Sequence, residues 1–218
     1  MRSDAIIGLL CSAARIYFLA KGNDKMESIC VYCGSSDKIN SEYLSAAYQL
    51  GAAIASHGLE LWYGAGSTGL MGAVADGALE AGGEVIGVIP VMFNTPKLAH
   101  SGLTRLEVVE TIHQRKQRLA DQAGAFIALP GGFGTFEELF EILTWAQIGL
   151  HHKPVGLLNV RHYFDPLLAM VDHARVEGFI YAEHRALFNY AETAERLLDL
   201  LENYSPPEKL DRWLTRDD

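Results

Sequence analysis

Basic charge, cysteine and long apolar runs are all scarce in this chain, and each scarcity removes a class of function. Lys and Arg number 18 against 27 Asp and Glu over 218 residues, a formal net charge of -9. That balance supplies no general basic face for the phosphate backbone of a nucleic acid, so any anionic ligand must be captured by a local cluster. Three cysteines, an odd number in a chain of this size, build no disulfide framework and fit a reducing cytoplasm. Cys30 and Cys33 do form a C-x-x-C, but on a strand such residues point to opposite faces, so core packing is expected of them. No apolar run reaches the roughly 18 residues of a membrane span, and no membrane partner is expected.

Other absences narrow the chemistry. His151-His152 and the remaining histidines lack metal-ligand spacing and no Cys/His cluster occurs, so no metal is expected. Neither a G-x-S-x-G elbow nor a G-x-x-x-x-G-K-[ST] loop is present, which argues against a serine hydrolase and a P-loop NTPase. The chain also lacks internal repeats and low-complexity segments.

What is present is a chain with 49% apolar residues, ample for one buried α/β core. Residues 1–25 carry an apolar run over 5–14 between Arg2 and Arg15. Asp4 precedes that run and no secreted character follows, so the segment is expected to be an extension outside the fold rather than a signal peptide. One nucleotide-binding domain is expected over 26–204, and 205–218, with two prolines and mixed charge, is expected to be a weakly ordered tail.

Apolar runs and their spacing predict strands over 28–33, 59–63, 85–89, 125–129, 153–159 and 187–190. Helices are predicted over 41–57, 70–81, 112–123, 135–150, 163–177 and 193–204. Residues 91–110, with Asn94, Pro96 and Gly102, read as an irregular excursion over the surface. Short apolar strands alternating with helices imply a Rossmann-like, doubly wound parallel sheet in a single domain. Ligands of such sheets bind at the carboxyl ends of strands, where the Gly34-Ser35-Ser36, Gly64–Gly69 and Gly131–Gly134 turns all fall.

The turn Leu129-Pro-Gly-Gly-Phe-Gly-Thr-Phe-Glu-Glu-Leu139 is the most informative. Gly131, Gly132 and Gly134 permit close approach of a ligand, and Thr135 with the first free N–H groups of the helix can donate to phosphate oxygens. Glu137 and Glu138 are expected in the first helical turn, about 100° apart, so that one faces a pocket while the other meets solvent. A carboxylate near a bound ribose can stabilise an oxocarbenium-like transition state or orient water. The bland alternative is that both merely complement the helix dipole.

Gly64-Ala-Gly66-Ser-Thr-Gly69 formally matches G-x-G-x-x-G, which raises a nicotinamide-dependent dehydrogenase. That fold wants an acidic residue at the end of the next strand, where this chain has Ile89-Pro90. The turn is instead expected to line a nucleotide pocket, or simply to pack tightly. His113-Gln-Arg-Lys-Gln-Arg118 is the densest cationic segment; Arg115, Lys116 and Arg118 form either a solvated face or a set from which one or two reach a phosphate or base.

Taken together, Cys33-Gly-Ser-Ser36, Tyr63-Gly-Ala-Gly-Ser-Thr-Gly-Leu-Met-Gly72, His113-Gln-Arg-Lys116, Pro130-Gly-Gly-Phe-Gly-Thr-Phe-Glu-Glu138 and Thr144-Trp-Ala-Gln147 resemble the LOG ("Lonely guy") family over roughly residues 27–203. The resemblance implies a Rossmann-like homodimer, without cofactor, that hydrolyses the N-glycosidic bond of N6-modified adenosine 5'-monophosphates or AMP. Its products would be free base and ribose 5-phosphate. It implies Arg115 and Glu138 as catalytic residues, Lys116 and Thr144 as substrate contacts, and Gly132 to Thr135 as the phosphate-binding turn. Gly131, Phe133, Gly134, Phe136 and Glu137 of that turn, with Gly34, Ser35 and Gly66 of the neighbouring turns, complete the expected substrate-binding set. Members are often labelled lysine decarboxylases, yet nothing in this sequence marks a pyridoxal-binding lysine beside a matching phosphate site. The chain departs from many members at Thr95-Pro-Lys97, where an acidic residue is common, which bears on base selectivity or loop closure. A nucleotide-sensing or carrier module that kept the pocket without the chemistry is the rival reading.

Overall fold

The computed structural model describes residues 26–208 and Leu210. The expected extension over 1–25 and most of the expected tail lie outside those residues. Within the described part of the tail, Leu210 is buried in the core.

Strands β1 (Ser28–Tyr32), β2 (Glu60–Tyr63), β3 (Val85–Pro90), β4 (Arg105–Val109), β5 (Ala125–Ala128), β6 (Val155–Leu158) and β7 (Asn189–Ala191) make one sheet in the order β4-β3-β2-β1-β5-β6-β7. Every neighbouring pair is parallel. Helices α1 (Ser41–Ser56), α2 (Gly69–Glu80), α3 (Ile112–Gln122), α4 (Phe133–Gln147), α5 (Asp165–Val176) and α6 (Ala194–Glu202) cover both faces. This is the doubly wound architecture that alternating short strands and helices imply.

Side-chain alternation along the strands divides the interior into two cores. Ile29, Val31, Leu61, Tyr63 and Ile127 face α1, α2 and α6, whereas Cys30, Tyr32, Trp62, Phe126 and Ala128 face α3, α4 and α5. Cys30 and Cys33 fall in different cores, as their spacing on an extended segment requires.

The structure corrects the reading of 91–110 as wholly irregular. Its last part is β4, paired in parallel with β3 from Arg105 opposite Ile86 to Val109 opposite Pro90. This edge strand carries Arg105 and Glu107, and none of its residues is buried, so it shows no apolar run. It is fixed instead by Trp62, whose ring lies under the Arg105 and Arg118 guanidinium groups at 5.2 and 5.5 Å. Helix α4 likewise begins at Phe133, earlier than residue 135, because Gly132 serves as its N-cap. Glu137 and Glu138 therefore stand in its second turn, away from the free N–H groups, and no acidic residue occupies the first.

His151 ties the end of α4 to β6. Its Nε2–H donates to the Ile142 carbonyl at 2.9 Å, while Nδ1 accepts from the Lys153 backbone N–H at 3.1 Å. Both bonds suit the neutral ring, and burial pushes the imidazole down to about 4 although the bond to Ile142 opposes this. A base with a depressed folded pKa supports stability above its ordinary value near 6.5 and withdraws that support as pH falls toward 4. The wild type is thus expected to lose on the order of 3 kcal/mol through this group between pH 7 and 4. In His151→Gln the fall in thermal midpoint over the same range should be smaller; an equal fall would remove His151 as the cause.

Candidate active site

The strand order reverses between β1 and β5, and their carboxyl ends open a crevice there. The loops leaving the two strands are joined where the Gly34 N–H donates to the Pro130 carbonyl at 3.0 Å. The loop after β2 is tied to the same place. Thr68 Oγ1 donates to Ser35 O at 2.9 Å, Leu70 N–H to Gly34 O at 3.0 Å, and Gly69 N–H to Asp37 Oδ1 at 2.8 Å. Gly69 has φ +59° and lies so close to Ser35 and Ser36 that no Cβ fits, which explains why glycine opens α2. The turns expected around Gly34, Gly66 and Gly131 thus converge on one rim.

The Pro130–Gly132 turn presents the start of α4 to this rim without a side-chain cap, leaving its first N–H groups available to an anion. Phe133 is 93% exposed, whereas Thr135 is buried with Oγ1 only 2.1 Å from where a Cβ on Gly131 would lie. The turn is held from beneath by Tyr163, whose hydroxyl donates to Gly131 O at 2.5 Å and whose ring stacks on Phe136 at 6.5 Å.

Across the crevice, Thr111 and Gln114 form a capping box that fixes the start of α3 and the projection of the cations after it. Those three cations take separate sets of partners. Arg118 makes a two-pronged bond to Glu107 on β4, at 2.7 and 3.1 Å, and is structural. Lys116 Nζ sits between Glu137 and Glu141 at 2.5 and 2.9 Å, its chain nearly buried. Burial works against its charge, but the two carboxylates outweigh that and hold its pKa above the ordinary lysine value.

Arg115 pairs with Glu138, its Nη2 3.4 Å from Glu138 Oε1 and both side chains largely buried, 17% and 13% exposed. Its Nε is buried without a hydrogen-bond partner among the described residues. Burial pushes the Glu138 carboxyl up to about 7; Arg115 pulls it down, and Glu137 raises it further. Glu138 therefore exchanges a proton near neutral pH beside a permanent cation, the condition a general acid or base needs. Glu137, 56% exposed, separates from it as the helical offset requires. Thr144 is exposed and spends its hydroxyl on the Phe140 carbonyl of its own helix.

Two residues of this site carry little mark in the sequence. Tyr163 lies far along the chain from the turn it clamps, with no motif to point to it. Gly64, the first glycine of the formal fingerprint, lies directly against Arg115, which spacing within the fingerprint does not reveal. Among the described residues no group of three or more His, Cys, Asp or Glu side chains has the placement to hold a metal ion.

A family model described as "Possible lysine decarboxylase" matches residues 71–201. A protein of Oryza sativa subsp. japonica named "Probable cytokinin riboside 5'-monophosphate phosphoribohydrolase LOGL3" is 47% identical over 182 residues, 84% of this chain and 86% of its own length. "Cytokinin riboside 5'-monophosphate phosphoribohydrolase LOG3" of Arabidopsis thaliana is 46% identical over 84% of this chain and 85% of its own. Among solved structures, a molybdenum cofactor binding protein from Rippkaea orientalis superposes with a TM-score of 0.63 at 23% identity, covering 82% of this chain and 98% of that one. The molybdenum cofactor carrier protein of Chlamydomonas reinhardtii gives 0.59 at 25% identity, over 80% and 99%. These two likenesses concern the Rossmann-like fold. The identities to the plant proteins extend over 84% of the chain, and the chain belongs to the LOG family of cytokinin riboside 5'-monophosphate phosphoribohydrolases.

Proposed function

We propose that this protein is an N-ribohydrolase that cleaves the N-glycosidic bond of adenosine 5'-monophosphates, N6-modified or plain, to free base and ribose 5-phosphate. The observation that carries the reading is the buried Arg115–Glu138 pair, one turn along α4 from its uncapped start, in a chain close in sequence to phosphoribohydrolases. The 5'-phosphate is taken by the Gly131–Thr135 turn, where the helix N–H groups favour an anion. Gly34, Ser35 and Gly66 line the rim beside it. Lys116, already held by two carboxylates, serves the substrate by keeping Glu137 and Glu141 neutralised and α4 in place.

In the reaction the C1'–N bond breaks and its electron pair leaves with the base, while water forms the new C1'–O bond. Arg115 presents a donor-only guanidinium, so it stabilises the charge on the departing base, which takes its proton from solvent as Glu138 afterwards returns the water's proton there. Ionised Glu138 faces the cationic ribosyl centre and takes the proton of the attacking water. Free Cys30 and Cys33 in the cores suit a cytoplasmic setting, and the exposed Phe133, Val176 and Phe179 suit a homodimer.

Incubation with AMP and with isopentenyladenosine monophosphate, following free base by chromatography, tests the reading. Base release is expected from one or both; nucleotide binding without release would make the protein a sensing or carrier module. Glu138→Gln should lower kcat by roughly 10²–10⁴-fold. As Glu138 acts in its ionised form, kcat/KM should rise with pH through about 7. A rate that instead falls through this range would assign Glu138 as the acid.

The same shift predicts a stability effect of opposite direction. An acid whose folded pKa lies near 7 instead of 4.5 favours the folded state fully below 4.5, and that contribution is lost as pH rises through 7. Glu138→Gln, neutral at every pH, should match the wild type near pH 5 and exceed it near pH 8 by on the order of 2–3 kcal/mol. Thermal midpoints at the two pH values check this; a constant difference would contradict the burial of the charged form.

A further inference from the structure

We propose that Gly64 is a positioning residue of the site: its missing side chain provides the space in which the Arg115 guanidinium reaches Glu138. A Cβ built on Gly64 would fall 2.0 Å from Arg115 Nη2 and 2.8 Å from its Cζ. Nη2 is the same atom that stands 3.4 Å from Glu138 Oε1. One methyl group at position 64 would therefore displace the nitrogen that holds the carboxylate.

The surroundings decide which partner yields. Gly64 follows Tyr63, whose strand is paired on one side with Val31 and on the other with Gly87, so the backbone before it is fixed. After it, buried Ala65 holds φ 61° and accepts from the His100 N–H at 2.9 Å, and Gly66 is bridged to Ala99. Both sides of the turn are thus locked, and the movable body is the end of the arginine. Gly64 is not among the glycines with positive φ, so alanine meets no backbone strain there and the effect is confined to contact. The other atom in the way, Met71 Cε at 2.7 Å, ends a flexible thioether chain that moves aside at little cost.

Displacement of Arg115 has a signature beyond lost activity. Glu138 is surrounded by Arg115 and Lys116 from α3, by Glu137 and Glu141 on its own helix, and by Cys30, Tyr32 and Cys33 from β1 and its end. Of these groups Arg115 does most to favour the carboxylate, so withdrawing it must raise the pH at which Glu138 ionises.

The inference rests on the proposed hydrolysis, and two readouts separate their failures. In Gly64→Ala, kcat for base release should fall by about 10²-fold while KM changes by less than about threefold, since the phosphate turn is untouched. Independently of turnover, the 13C titration of the Glu138 carboxyl in the substrate-free protein should move to higher pH. The same deficit should persist in Gly64→Ala/Met71→Ala, where only the guanidinium remains in the way. Unchanged kcat with an unmoved titration, or recovery in the double variant, would overturn the role of Gly64. Should Gly64→Ala fail to fold, Gly64→Ala/Arg115→Ala should fold; its failure as well would place the clash elsewhere. If the wild type releases no base, the hydrolysis reading fails while the titration still judges the positioning.

Discussion

The contact on which the site depends is the junction of the loops leaving β1 and β5, where Gly34 N–H meets the Pro130 carbonyl. Helices from these strands run to opposite faces of the sheet, and the crevice between them opens only because neighbouring strands diverge in connection. The junction sets the height of the Gly131 turn, and with it the place where the first N–H groups of α4 emerge. Tyr163 clamps the turn from one side and Thr135 fills the space beneath Gly131. An anion site built on backbone must be held by such contacts, since it has no long side chain to adjust its reach.

The electrostatics follow from the same geometry. An acidic chain places three cations within four residues of α3 and neutralises each with different carboxylates: Arg118 with Glu107 of β4, Lys116 with Glu137 and Glu141 of α4, and Arg115 with Glu138 of the same helix. Exposed pairs of this kind contribute little, and partly buried ones must first overcome desolvation. For Arg115 and Glu138 desolvation wins, since the carboxyl lies above its ordinary pKa despite the guanidinium beside it. The pair is therefore a cost to the fold that a purely structural role leaves unexplained, and its Arg115 Nε, buried without a partner among the described residues, adds to that cost. Strain of this kind collects at functional sites.

The parallel sheet was legible because strands buried on both faces read as short apolar runs, as at 28–33 and 125–129. The separation of Glu137 from Glu138 was legible too, because helical geometry turns adjacent residues apart wherever the helix starts. The strand β4 was not, since an edge strand braced by cations over Trp62 carries no apolar signature. Nor was the start of α4: a glycine N-cap looks in sequence like more of the turn. Tyr163 and Gly64 escaped for a deeper reason. Their roles are set by which loops the sheet order brings together, and local pattern holds no record of contacts between distant segments.

Placing the acidic pair in the second turn of α4 rather than the first resolves a conflict present in the sequence. Carboxylates beside the first N–H groups would compete with a phosphate for the positive end of the helix. One turn further on, Glu137 is taken up by Lys116 and Glu138 meets Arg115, so the first N–H groups of the helix stay available to an anion without a carboxylate among them. A ligand that spans the two must carry a phosphate at one end and develop positive charge a few ångströms away. In the proposed hydrolysis, a ribose 5-phosphate whose glycosidic bond is breaking meets both demands, with the leaving base on the side of Arg115. A group that merely bound nucleotide would need the anion site alone, and the cost of burying Glu138 next to it would serve nothing.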